Sequence, residues 1–237
     1  FTPSDIVKSK GAKLIIENGL GLEAWISKFT SSAGNIPKVK LTDGLTPLMI
    51  EDDLYAGKPN PHAWMSPNKA KHYVDKIVDA FIEIDPNGED EYIENASSYK
   101  AKLSSLDKEL RDSLSLIPKE RRFLVTCEGA FTYLARDYGM QEGYLWPVNA
   151  ESQVTPRRMV NLIEKIKEND IPTIFCESTV SAEAQKEVAK ASNSVFGGTF
   201  YVDSLSDSDG PASTFLDLQR YNVQLLIKGL TNTSLKK

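Results

Sequence analysis

The second half of the chain alternates short apolar runs with amphipathic segments. The runs have the length of buried strands, and the segments between them repeat apolar residues every three or four positions, the period of a helix. The apolar runs are residues 123–126, 144–146, 173–175 and 199–202, and a last amphipathic segment covers residues 215–230. Apolar strands that alternate with helices predict a parallel sheet covered on both faces.

The first part of the chain shows the same alternation in shorter elements. The sequence Thr-Pro-Ser-Asp at residues 2–5 is typical of a helix start. Three later segments each end shortly before a glycine, at Gly19, Gly34 and Gly44. The predicted elements are helices at residues 2–10 and 22–29 and strands at residues 13–17 and 39–41. We therefore predict a second, smaller α/β unit.

Two further helices are predicted between these units. Ser66 and Pro67 form a typical helix start, since serine caps the first turn and proline fits the first helical position. The next apolar stripe runs from Tyr92 to Leu114 in steps of three and four, which makes a helix on the order of 40 Å long. A free coiled coil would show a similar stripe, but the flanking strand–helix units favour one helix that joins two lobes.

These patterns predict an α/β fold: two lobes of parallel sheet flanked by helices and joined by one long helix. The predicted boundaries are residues 1–86, 87–117 and 118–237. Hydrophobic residues make up 41% and charged residues 26% of the 237 residues, which is ordinary for a globular protein. The net charge is −5, and the short basic groups are mixed with acids, so we expect no nucleic-acid partner.

Acidic residues follow three of the predicted strands. Glu128, Glu177 and Asp203 each come shortly after a run in the second half of the chain. Because ligands bind beyond the carboxyl ends of parallel strands, these side chains are candidates for a binding site. Carboxylates that lie close together repel one another unless a cation or an internal salt bridge balances them. The sequence leaves both of those alternatives open.

The chain has two histidines and two cysteines. His72 lies inside a predicted helix and is interpreted as an ordinary packed or surface histidine. His62 lies between a proline-containing loop and a helix start; alone it favours a structural role, but the acidic residues make it a candidate ligand. Cys127 and Cys176 could be free buried thiols in a cytosolic protein or one disulfide in an exported one.

Motifs for catalysis are absent from the sequence. The chain has no glycine-rich phosphate loop, no Gly-x-Ser-x-Gly and no His-Glu-x-x-His. One histidine and two carboxylates could form an open iron site, although such sites usually contain two histidines and one carboxylate. We therefore expect a protein that is not an enzyme, with a metalloenzyme as the less favoured alternative.

Four motifs together resemble those of the metal-specific solute-binding proteins of ABC transporters, the cluster A-I group that delivers manganese, zinc or iron. They are Asn-Pro-His-Ala-Trp at residues 60–64, Thr-Cys-Glu-Gly-Ala-Phe at 126–131, Cys-Glu-Ser at 176–178 and Tyr-Val-Asp-Ser-Leu at 201–205. The resemblance covers essentially the whole chain. It implies a receptor that captures a metal ion and delivers it to a membrane permease.

The resemblance also implies a set of ligands. His62, Glu128 and Asp203 occupy three of the family's four ligand positions, and Glu177 does not occupy one. The family's remaining ligand is a histidine that precedes the segment matching residues 2–5, so a fourth ligand and a first strand–helix unit are expected before Phe1. An exported protein would also favour a disulfide between Cys127 and Cys176, each of which precedes an acid at a strand end.

The ligand types indicate which ion is bound. Carboxylates and imidazoles suit Mn(II), followed by Fe(II), and the loop at residues 49–58 lacks the histidines that zinc-specific members carry. We therefore expect Mn²⁺, with Zn²⁺ or Fe²⁺ as alternatives. The resemblance further implies a monomer that is periplasmic or anchored on the outer side of the cytoplasmic membrane. A surface adhesin is an alternative role that is sometimes attached to this family.

Overall fold

The structure, a computed structural model, describes residues 11–24, 36–51, 53–148 and 154–231. The predicted helix at residues 2–10 and most of the one at 22–29 lie outside these residues. The two short strands predicted near the N-terminus are present as β1 (Ile15–Glu17) and β2 (Lys38–Lys40). They pair in parallel, with Ile16 opposite Val39.

Two helices follow in the order that the sequence predicts. The first, α1 (Pro67–Ile84), begins at the Ser66 cap, whose side chain accepts a hydrogen bond from the Lys69 backbone N–H. The second, α2 (Glu89–Ser115), has 27 residues. Three acidic residues lie in its first turn, where their negative charges stabilise the positive end of the helix dipole. The long joining helix is therefore confirmed.

The second lobe continues the alternation of strands and helices. Its elements are β3 (Phe123–Glu128), α3 (Thr132–Asp137), β4 (Gln141–Trp146), α4 (Pro156–Glu168), β5 (Thr173–Glu177), α5 (Glu183–Ser192), β6 (Val195–Phe200) and α6 (Phe215–Thr231). β3 pairs with β4 and β5 pairs with β6, both in parallel. The predicted α/β class, with parallel strands flanked by helices, is confirmed.

Two details of the strands differ from the prediction. Within the described residues, β3–β4 and β5–β6 form separate hydrogen-bonded pairs instead of one continuous sheet. The last strand, predicted at residues 199–202, runs from Val195 to Phe200 and includes Gly197 and Gly198. Gly197 is needed there, because a Cβ atom on it would lie 2.3 Å from the Thr173 side chain and 2.7 Å from the Phe175 ring.

One buried cluster connects the two lobes through the long helix. It contains Met65 from the first lobe, Leu110 and Leu114 from α2, and Leu124 and Phe131 from the second lobe. Both strand pairs of the second lobe lie beneath amphipathic helices, and Leu162 and Ile166 of α4 pack into a second cluster there. Among the described helices, none is both long and apolar enough to cross a membrane.

Candidate metal centre

His62 lies in a tight segment just before α1. It precedes a single 3-10 turn, Ala63–Met65, and is only 2% exposed. Its ring Nδ1 lies 2.9 Å from the side-chain oxygen of Asn60, and its backbone N–H donates to the same oxygen at 3.0 Å. The Trp64 ring packs against the imidazole at a centroid distance of 5.1 Å. These contacts fix the ring and leave Nε2 as the nitrogen available to a ligand.

Asp203 reaches His62 from the second lobe. Its Oδ1 lies 3.6 Å from His62 Nε2, and its side chain is 42% exposed. The backbone that leads to it is well held, because the Asn222 side chain bonds to both the N–H and the carbonyl of Tyr201. Trp64 donates its ring N–H to the Val202 carbonyl at 3.4 Å. The loop after β6 is therefore tied both to α6 and to the His62 segment.

Glu128 is the last residue of β3 and is 6% exposed. Its backbone N–H donates to the carboxylate of Glu177 at 3.2 Å, as does the N–H of Cys127. Burial, reinforced by the charge of nearby Glu128, raises the pKa of Glu177 well above its usual range. Glu177 thus faces backbone donors at the end of β5 and supports the segment that carries Glu128.

The predicted disulfide is present. Cys127 and Cys176 are bonded to each other across β3 and β5, with their Cα atoms 4.8 Å apart. Each precedes an acidic residue, so the bond joins the two strand ends at which Glu128 and Glu177 lie. The bond therefore links the β3–β4 pair covalently to the β5–β6 pair.

The structure brings the predicted ligands together only in part. His62 and Asp203 approach each other, whereas Glu128 does not complete a compact set with them. Among the described residues, the only three ligand-type side chains with donor atoms all within 4.8 Å of one another are Cys127, Cys176 and Glu177. The two sulfurs of that set are already bonded to each other. His72 lies elsewhere, with its Nε2 2.9 Å from the carbonyl oxygen of Asp43.

Sequence reasoning gave no role to Asn60 and Tyr133. The Asn60 side chain donates to the Gly129 carbonyl at 2.7 Å, which links the His62 segment to the residue after Glu128. The Tyr133 hydroxyl donates to the Asn60 carbonyl and accepts from the Leu48 N–H. Asn60 belongs to the Asn-Pro-His motif, and Tyr133 begins a segment, residues 133–139, that also resembles the family, but neither signal indicated what these side chains contact.

A cavity of about 840 Å³ lies beside this centre, between residues 49–51 and the second lobe. Asn60, Gly129 and Thr132 line it, whereas His62 and Asp203 do not. Glu142 also lines it and accepts a 2.8 Å hydrogen bond from the Thr132 hydroxyl. Burial raises the pKa of Glu142 to about 7, against the opposing effects of that hydrogen bond and of Lys165.

Comparison with known proteins places these features in a family. The family model for the zinc-uptake complex component A, periplasmic, matches residues 1–229. The iron-binding protein YfeA of Yersinia pestis is 47% identical over 228 residues, which cover 96% of this chain and 73% of that protein. The manganese ABC transporter substrate-binding lipoprotein PsaA of Streptococcus pneumoniae is 32% identical over 235 residues, which cover 96% and 76%.

Solved structures agree with this match. A Mn-bound periplasmic metal-binding protein from Candidatus Liberibacter asiaticus superimposes with a TM-score of 0.87 at 37% identity, covering 97% of this chain and 85% of that one. The periplasmic zinc-binding protein TroA of Treponema pallidum shares the fold, with a TM-score of 0.85 at 24% identity over 97% of this chain and 84% of that one. Since members of the matched family are receptors for metal ions and not enzymes, the expectation of a non-enzyme is confirmed. The chain belongs to the family of the periplasmic zinc-uptake component A, the metal-binding substrate-binding proteins of ABC transporters.

Proposed function

We propose that this protein captures Mn(II) with His62, Glu128 and Asp203 and delivers it to an ABC permease. The observation that carries the proposal is the 3.6 Å separation of His62 Nε2 and Asp203 Oδ1, two donors from different lobes. Two metal–ligand bonds of about 2.1 Å that meet at about 90–120° separate their donor atoms by about 3.0–3.6 Å. An ion that bridges this pair therefore needs little movement of either side chain.

The position of Glu128 supports its inclusion. It is buried at the end of β3, and the peptide that follows it is held by Asn60, the residue that also holds His62. In the proposed site, its side chain would turn towards His62 and Asp203 and add a second carboxylate to the pair. A bound cation would also offset the repulsion between Glu128 and the neighbouring Glu177.

The choice of ion rests on the donor types. Two carboxylates and an imidazole are hard or borderline ligands that suit Mn(II), and the relative PsaA is named for manganese. Fe(II) is the second candidate, because a relative at 47% identity is named an iron-binding protein. Zn(II) would bind the same donors by intrinsic affinity, so preference for manganese would depend on coordination geometry and on supply.

The disulfide supports an extracytoplasmic location. Disulfides persist in oxidising compartments, and the relatives are named as periplasmic proteins or lipoproteins. We propose that the protein works as a monomer in the periplasm or on the outer side of the cytoplasmic membrane, where it would meet its permease.

A calorimetric titration with Mn(II), anaerobic Fe(II) and Zn(II) tests the site. We expect Glu128→Gln to weaken Mn(II) binding by about 100-fold or more, since loss even of a supporting partner commonly costs about 10–100-fold. Glu164→Gln, which changes an exposed glutamate on α4, is the matched control and should bind like the wild type. Equal affinities for the wild type and Glu128→Gln would remove Glu128 from the site.

A further inference from the structure

We propose that Asn60 is a positioning residue of this centre. Its side-chain amide sets the tautomer of His62, so that Nε2 is the metal-binding nitrogen, and it fixes His62 relative to the Glu128 segment. The inference rests on the proposed function for its consequences in metal binding. The His62 tautomer is a property of the metal-free protein, so it can be measured without any metal.

The orientation of the Asn60 amide is determined by backbone groups. Its oxygen accepts from the His62 backbone N–H, which can only donate, at 3.0 Å. Its nitrogen donates to the Gly129 carbonyl, which can only accept, at 2.7 Å. Turning the amide over would break both bonds and place like groups opposite each other, which is costly for a residue that is only 3% exposed.

This orientation decides which His62 nitrogen carries the proton. The Asn60 oxygen has no hydrogen to donate, so Nδ1 of His62, 2.9 Å away, must be the donor in that contact. A neutral imidazole with its proton on Nδ1 has its lone pair on Nε2. Nε2 is the atom that faces Asp203. Asn60 therefore presents the lone pair on the side where an ion would bind.

The same side chain connects two ligands from different lobes. One end of the amide holds His62, and the other holds the carbonyl of Gly129, the residue after Glu128. The Gly129 N–H is itself bonded to the Trp146 carbonyl at 3.1 Å, so the Glu128 segment is anchored to β4. The amide thus sets the spacing between the His62 and Glu128 segments before any ion arrives, which lowers the reorganisation that binding requires.

The backbone of Asn60 is held as firmly as its side chain. Its N–H donates to the Leu48 carbonyl at 2.7 Å, and its carbonyl accepts from the Tyr133 hydroxyl at 2.9 Å. A buried asparagine with this many partners could serve stability alone. A purely structural role, however, would not control the proton position on His62, and that difference makes the proposal testable.

The first test is nitrogen NMR of the His62 ring in the metal-free wild-type protein at pH 8. We expect His62 to be almost entirely in the form protonated at Nδ1. A wild-type His62 protonated mainly at Nε2 would overturn the proposal. This measurement needs no variant and no metal, so it is independent of any failure in the ligand assignment.

The second test compares two alanine variants, Asn60→Ala and Gln185→Ala. Gln185 is also a fully buried amide, and its side chain donates to a backbone carbonyl, that of Phe175, instead of to a segment that carries a proposed ligand. We expect Asn60→Ala to mix the His62 tautomers and to raise the Kd for Mn(II) by about 10–100-fold. Gln185→Ala should lower the Tm while leaving both readouts unchanged. If Asn60→Ala keeps the Nδ1 form and the wild-type Kd, or if both variants change the readouts equally, Asn60 has only a structural role.

Discussion

The hydroxyl of Ser66 donates a 2.7 Å hydrogen bond to the carboxylate of Asp137, from the cap of α1 in the first lobe to the end of α3 in the second. Lys69 lies 3.5 Å from the other oxygen of that carboxylate. At its opposite end, α3 contacts the His62 segment through Thr132 and Tyr133. One short helix therefore holds the His62 segment from both sides.

Replacing Ser66 by alanine should destabilise the protein more than the loss of an ordinary helix cap. The variant loses the bond to Lys69 N–H as well as the bond to Asp137, which is then left partly unpaired. We expect a loss of about 1–3 kcal/mol in the free energy of unfolding, measured by urea denaturation.

Thr155→Ala is the matched control for this change. Thr155 caps α4 by accepting from the Arg158 N–H at 3.3 Å, a bond within the second lobe. We expect a loss of about 1 kcal/mol there. Losses of equal size in the two variants would show that the contact between lobes adds nothing to stability.

Of the three proposed ligands, Asp203 is the one that can be replaced with the least disturbance of the fold. Its side chain is partly exposed, so Asp203→Asn should leave the metal-free Tm within about 2 °C of the wild type. The variant loses a charged ligand, and we expect Mn(II) binding to weaken by at least about 10-fold in a calorimetric titration. Asp207→Asn, an exposed change in the same loop, should bind normally. Wild-type affinity in Asp203→Asn would contradict a role for this carboxylate.

The disulfide should contribute strongly to stability. It closes a loop of 49 residues, and removing such a bond costs about 2–4 kcal/mol because the unfolded chain gains freedom. We expect the Cys127→Ala, Cys176→Ala double variant to unfold at a lower urea concentration than the wild type. It should also bind Mn(II) more weakly, since Glu128 follows Cys127 directly. A thiol reductant should shift the urea midpoint of the wild type and not that of the variant; equal shifts would argue against the assignment.

Glu142 should make stability depend on pH. Because the pKa of Glu142 in the folded protein, about 7, lies above the ordinary glutamate value of about 4.5, the folded state holds this proton more tightly than the unfolded chain. Its contribution is therefore fully present below about pH 4.5 and is lost as the pH rises towards about 7. Glu142→Gln keeps an oxygen for the Thr132 hydroxyl and removes the charge.

We expect Glu142→Gln to match the wild type near pH 4.5 and to exceed its stability by about 1–3 kcal/mol at pH 8. The measurement is urea denaturation across this range, with the exposed Glu164→Gln as the control. Parallel pH profiles for the wild type and Glu142→Gln would mean that the pKa of Glu142 is the same in the folded and unfolded states.

The periodic patterns predicted the elements well where local rules decide them. Ser66 and Pro67 began a helix as expected, and the stripe that ends at Leu114 formed one long helix. The shift of β6 could not be predicted, because a glycine pair is normally a sign of a loop. Here Gly197 lies in the strand because the Phe175 ring packs where its side chain would be, and that contact comes from a distant part of the chain.

The site was predictable to a different degree for each residue. The rule about strand ends pointed to Glu128 and Asp203, and His62 was added mainly by the family resemblance. The position of Asn60 depends on contacts across the lobes with Gly129 and Thr132, which no local pattern encodes. The rule about strand ends alone treats Glu177 like Glu128, and the family resemblance separates the two. The hydrogen bonds that the Glu177 carboxylate accepts from the backbone N–H groups of Cys127 and Glu128 could not be predicted from the sequence.

The buried cluster that includes Met65, Leu110 and Leu124 has a consequence for how the molecule can be divided. A cut in the long helix, or expression of either lobe by itself, would expose one side of this cluster to water. Each large apolar side chain so exposed costs about 1.5–3 kcal/mol, and a few of them equal the whole stability of an average domain. The two lobes therefore form one cooperative unit, which should melt in a single transition and resist being engineered as separable parts.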